Sequence, residues 1–157
     1  MFHRFRYEAE FYPLLSRIPL HVRMKLDLTG IRISLKDWLA FDFAERAALC
    51  HLPCRLPDER QAFVGYLDFL SRKYCATPVV VTNALDSALW GRARLPEPVR
   101  KKSADSFQPV TPQEWSNWKF HERYALYKTA TSQSQPDAFA RLLEQLREPS
   151  AADDPEL

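Results

Sequence analysis

Apolar residues recur at Phe63, Tyr66, Leu67 and Leu70, and again at Phe139, Leu142, Leu143 and Leu146. Both sets have the i, i+3, i+4, i+7 spacing of a helix with one buried stripe. Other helices are announced by their ends. Pro19 and Pro96 suit a first turn, where a missing N–H would be unpaired anyway. The helix led by Val22-Arg23-Met24-Lys25-Leu26 runs to Gly30, a natural left-handed stop. Phe107 stands at the corresponding place near the second helix, which must therefore end differently. Ser34-Leu-Lys-Asp37 and Thr111-Pro-Gln-Glu114 each set a hydroxyl cap three residues before a carboxylate, and the second reads as the stronger start. A further helix begins near Phe43 and near Phe120, with Asp42 as a cap for the first. Thr77-Pro-Val-Val-Val-Thr82 has strand propensity and is expected to be a short extended connector. The segment Phe5 to Tyr12 is expected to be an extended arm that leads into a short helix near residues 13–17.

These starts recur because the chain resembles itself at an offset of 77 residues: Ile18 to Leu52 lies over Leu95 to Thr129 without a gap, and ten of the 35 positions are identical. Chance would give roughly two. The identical pairs include Pro19/Pro96, Val22/Val99, Arg23/Arg100, Lys25/Lys102, Trp38/Trp115, Glu45/Glu122 and Arg46/Arg123. The expected fold is all-α: a tandem duplication of a helix, short helix, helix, long helix unit, packed as one compact domain over residues 1–147. Repeat 1 covers about 18–71 and repeat 2 about 95–147. Trp38 and Trp115 are expected to anchor the short helices in the core. Arg46 and Arg123 are expected to pair with carboxylates elsewhere in the unit.

Composition agrees with helices: the chain has 3 Gly against 12 Pro, few positions for the positive φ of tight hairpins. The N-terminal residues lack a secretory apolar run and no later stretch is long enough to span a bilayer, so a cytoplasmic protein is expected. Residues 148–157 hold four of the 20 acidic residues and none of the 22 basic ones, which leaves the body at +6. That acidic tail is expected to be disordered.

Candidate chemistry is sparse. Cys50-His51-Leu52-Pro53-Cys54 holds three soft-metal ligands, but Pro53 should end the helix and move Cys54 off its face. No second pair follows at finger-like spacing, so structural thiols are expected and no metal or cofactor. His3, His21 and His121 have no nucleophile that sequence places beside them, and no phosphate-binding glycine loop is present. A doubled helix-turn-helix that binds DNA is the alternative reading, but Phe43 to Leu52 offers a single Arg to a groove.

Phe5-x-Tyr7-Glu8-Ala9, Arg17-Ile-Pro-Leu-His-Val-Arg-Met-Lys-Leu-Asp27, Trp38, Glu45-Arg46-x-x-Leu49 and Leu52-Pro53-Cys54 resemble the nitrate reductase-associated protein family known from cyanobacteria. Gln113-Glu114-Trp115 and Arg123 to Lys128 extend the likeness. The resemblance implies a non-catalytic accessory or assembly factor in nitrate assimilation. Its partner would be the molybdenum-dependent nitrate reductase or a molybdenum-cofactor delivery protein, with neither a membrane nor a nucleic acid as partner. Two departures from the family pattern are Arg17 and Thr29, where relatives carry cysteines, so a metal or cluster could not be bound here as it could there. The stretch Ser132 to Asp137 also differs from a family segment richer in Gly, His and Asn. Arg23, Lys25, Arg100 and Lys102 are the expected partner-binding residues. The two lysines in particular are expected to be exposed, because Lys is rarely buried without a partner.

Overall fold

The computed structural model describes residues 1–148; most of the expected acidic tail, 149–157, lies outside them. Among the described residues are eight α-helices and one two-stranded sheet. The helices are α1 (Leu20–Thr29), α2 (Leu35–Ala40), α3 (Phe43–His51), α4 (Pro57–Cys75), α5 (Glu97–Ala104), α6 (Pro112–Asn117), α7 (Phe120–Thr131) and α8 (Ala138–Arg147). No helix among these residues is long and apolar enough to cross a membrane.

The ends follow the chemistry of the sequence in most places. Gly30 stops α1 at φ +73°, and its N–H donates to the Leu26 carbonyl. Ser34 and Asp42 cap α2 and α3, and the carboxylates of Asp37 and Glu45 each accept a hydrogen bond from the cap's own N–H. The stronger-looking start at Thr111 is only half a box. Its hydroxyl accepts from Glu114 N–H, but the Glu114 carboxylate is drawn away by Arg147 of α8, at 2.8 and 2.9 Å. A bidentate charged partner outcompetes a single backbone N–H. Without a glycine near Phe107, α5 ends on Asp105 in right-handed geometry, and Phe107 is fully exposed.

Two expectations about minor elements need correction. No helix forms at residues 13–17, which make turns instead; the short helical piece, a 3₁₀ turn, comes earlier at Arg6–Glu8. Pro13 lacks a donor and Leu15 sits at φ +47°, which breaks any helix there. The final helix of the second half is also not long: α8 has 10 residues against 19 in α4. The connector does extend, and its residues Val80–Val81 (β2) pair antiparallel with Ile31–Arg32 (β1), the segment just after Gly30.

Two apolar clusters build the core. One gathers Val22 and Leu26 with Trp38, Phe41, Leu49, Phe63, Leu67 and Leu70. The other gathers Leu20, Met24 and Leu28 with Trp90, Val99, Trp115, Trp118, Leu126, Phe139 and Leu142. Helix α1 therefore feeds both clusters from opposite sides and is covered nearly all round. Across this junction, the Asp27 carboxylate of α1 accepts from Tyr124 Oη at 2.6 Å and from Lys128 Nζ at 3.0 Å, both on α7.

Trp38 and Trp115 are both fully buried, and both indole N–H groups donate to a backbone carbonyl, Leu15 O at 2.7 Å and Gly91 O at 2.8 Å. Arg46 and Arg123 do not pair with carboxylates. Arg46 donates to the carbonyls of Phe41, Leu14 and Leu15, and Arg123 to those of Trp90 and Trp118. Helix-end and turn carbonyls have no in-helix donor, and a guanidinium fork can satisfy several at once. Because the acceptors of Arg123 are buried, Arg123→Ala should lower stability by about 1.5–3 kcal/mol. Arg46→Ala should cost less, since Leu15 O keeps its bond from Trp38. Urea melts of both variants measure the order, and equal losses would contradict this account.

Candidate functional site

Two concave regions lie on different faces of α1. The first is a groove between the N-terminal segment, the start of α1 and the loop before α8. Three adjoining cavities of about 460, 350 and 160 Å³ share Tyr7 and Gln135 in their walls. Arg17, Arg23, Lys128 and Arg141 line the groove, against Glu8, Glu10 and Asp137. Lys128 is taken by Asp27, whereas Arg17, Arg23 and Arg141 make no ion pair among the described residues. Glu8 adds less negative charge than a solvated carboxylate would. It is buried under α1, where both its oxygens accept from Leu20 N–H and one accepts from Tyr12 Oη, and burial pushes its carboxyl up to about 7. The groove is therefore cationic on balance, with a tyrosine floor.

The second region is a smaller cavity of about 130 Å³ where α1, the turn after α3 and the start of α7 meet. His3, His21, His121, Lys25, Cys54 and Arg55 reach it, and no Asp or Glu does. The rings of His3 and His121 stack at 3.5 Å, and His3 meets His21 edge-on at 5.1 Å. His21 is 5% exposed, and neither of its ring nitrogens has a hydrogen-bond partner among the described residues. Burial holds it far below the usual histidine value, at about 2, and holds His121 at about 3, so both rings are neutral near pH 7.

The fate of Lys25 corrects the expectation of exposure: it is 2% exposed. Its ammonium donates to Leu49 O at 2.8 Å and to Cys50 O at 2.9 Å. The cause is Pro53. In a continuing helix Leu49 O would receive the N–H of residue 53, and proline has none. Lys25 supplies the missing donor at the negative end of α3. Lys102 is exposed, as expected, because α7 runs on to Thr131 and its corresponding carbonyls have in-helix donors. Arg23 is exposed on the groove, while Arg100 is exposed but held by Glu97 on the same helix. Arg100 and Lys102 line neither region, and with Lys25 buried the two expected lysines are not both available at a surface.

Cys54 does leave the helix after Pro53, and Cys50 and Cys54 are both buried. Burial pushes their thiols up to about 12 and about 11, against the acidic thiol that a nucleophile needs. Among the described residues no group of three His, Cys, Asp or Glu is arranged to hold a metal ion. Helix α7, the counterpart of the segment considered for DNA reading, buries Arg123, Tyr124, Ala125 and Leu126 and packs against α1, α5 and α8. Of its residues only Thr131 is exposed, and in α3 itself the single arginine, Arg46, is held by the carbonyls of Phe41, Leu14 and Leu15.

Sequence reasoning considered the three histidines singly and did not bring them together. They come from the N-terminal segment, α1 and α7, and no spacing links positions 3, 21 and 121. A family described as conserved nitrate reductase-associated protein matches residues 4–146. No curated protein and no solved structure matches the chain.

Proposed function

We propose a function from one premise: the chain belongs to the conserved nitrate reductase-associated protein family. It acts as a non-catalytic accessory or assembly factor for a molybdenum-dependent nitrate reductase, by binding that enzyme or a protein that delivers its cofactor. The family match over nearly the whole chain carries this reading. The buried α7 weighs against the DNA-binding alternative, and the raised thiols of Cys50 and Cys54 weigh against a nucleophilic cysteine.

The groove is the docking surface in this reading. Among the described residues Arg17, Arg23 and Arg141 make no ion pair, and a partner that brings carboxylates would neutralise them without breaking one of those that exist. Arg100 and Lys102 are a separate cationic pair, and Arg100 must first be freed from Glu97. The triple variant Arg17→Glu, Arg23→Glu, Arg141→Glu is expected to keep its Tm within a few degrees, because surface substitutions outside buried networks are usually mild. It should lose most of its capture of nitrate reductase from cells grown on nitrate. Arg100→Glu with Lys102→Glu should reduce capture less. Recovery of neither a nitrate reductase nor a cofactor-delivery protein by the unaltered chain sinks the proposal, and undiminished capture by the triple variant moves the surface elsewhere.

A further inference from the structure

The smaller cavity contains a buried positive charge and a buried ring, both with unused hydrogen-bonding capacity. Lys25 has three N–H donors and spends two on carbonyls, so one remains. Among the described residues no carboxylate lines the cavity to balance its charge. Among the described residues neither ring nitrogen of the buried His21 has a partner, although buried polar groups are almost always paired. Such groups persist in a folded protein when something else completes them. Arg55 stands at the mouth, its guanidinium 4.2 Å from the centre of the Phe120 ring, and adds an exposed positive charge where a ligand would enter.

We infer that this cavity is a binding site for a small, singly charged oxyanion, held by Lys25 and His21. The size follows from the volume: about 130 Å³ is room for roughly four water-sized atoms. The charge follows from the donors. His21 and His121 are neutral, so Lys25 is the one buried cation they accompany; the Met1 ammonium and Arg55 add their charge from the exposed rim, where water screens it, and a dianion would leave uncompensated charge in the poorly solvated interior. The neutral imidazole offers one N–H to an oxyanion oxygen and one bare nitrogen to a water or to the hydroxyl of a protonated oxyanion. Burial lowers the Lys25 ammonium to about 8, and an anion beside it would raise that value again. The site is independent of the docking groove, which uses a different face of α1, so either can fail alone.

The test is titration of the purified full chain with sodium nitrate, nitrite, formate, bicarbonate, chloride, sulfate and phosphate, by calorimetry and by Tm at constant ionic strength. One or more of the monovalent oxyanions should bind with one-to-one stoichiometry, and at ten times its Kd should raise Tm by roughly 3–6 °C. Sulfate and phosphate raise Tm by exclusion from any protein surface, so the variants supply the control. His21→Phe keeps ring and volume and is expected to lose at least tenfold in affinity while it stays folded. Lys25→Met should lose binding altogether, but it also strips two carbonyls of their donor, so His21→Phe is the decisive variant. Affinity should also fall as pH rises past about 8, where Lys25 loses its proton. No saturable binding of any monovalent oxyanion up to 50-fold above ~1 mM, or equal binding by His21→Phe, overturns the assignment. Tighter binding of sulfate or phosphate overturns the charge argument.

Discussion

Replacing Gly30 with alanine is expected to lower the stability of the fold by about 2–5 kcal/mol, the sum of a left-handed backbone penalty and an overpacking penalty. Gly30 holds φ +73° at the end of α1, and a Cβ there would stand 2.5 Å from Thr82 O and 2.8 Å from Ala84 N. Both neighbours are backbone, so no side chain can swing aside. The connector would have to retreat, and with it the bonds that Thr82 makes to Gly30 O through its N–H and its hydroxyl. These bonds continue the β1–β2 pairing and close the first cluster. Gly65 is the internal control. It lies inside α4 with nothing within 4 Å of an added Cβ, so Gly65→Ala should raise stability by about 0.5–1 kcal/mol. Chemical melts of the two variants should move in opposite directions. A Gly30→Ala protein as stable as the parent would show that the connector does not sit against the helix end.

Trp115→Ala should cost about 3–5 kcal/mol, the usual loss for deleting a buried aromatic, and lower Tm by roughly 6–20 °C. The indole is fully buried, meets Trp118 edge-on with centroids 6.4 Å apart and donates to Gly91 O. Trp38→Ala should cost a similar amount. The phenylalanine variants separate the two sites. Trp38→Phe leaves Leu15 O with its bond from Arg46, whereas Trp115→Phe leaves Gly91 O without its indole donor. Trp115→Phe should therefore be the more destabilising of the pair by about 1 kcal/mol. Urea unfolding of the four variants gives the comparison, and the reverse order for the phenylalanine pair would refute the role given to these carbonyls.

These two sites also show what could be read in advance. Gly30 as a helix stop, Ser34 and Asp42 as caps, and Trp38 and Trp115 as buried anchors follow from local rules: a backbone angle, a hydroxyl or carboxylate beside free N–H groups, and a large apolar ring. Such effects act within a few residues, so the residues that cause them lie next to the structure they cause. The stripes of α4 and α8 are of the same kind. The family assignment over residues 4–146 also rests on residues read in order along the chain.

What lay beyond reach depends on neighbours far along the chain. That Glu114 would leave its cap for Arg147 depended on an arginine 33 residues away. That Arg46 and Arg123 would seek carbonyls rather than carboxylates depended on where two turns end. Above all, a lysine in the middle of α1 reads as exposed until both sides of that helix are covered and Pro53 leaves a carbonyl without a donor. Local chemistry determined where the helices of this protein start and stop. Only the tertiary structure decided that α1 would be enclosed and three distant histidines would meet beside its lysine, because burial of a charge is a property of everything packed around it.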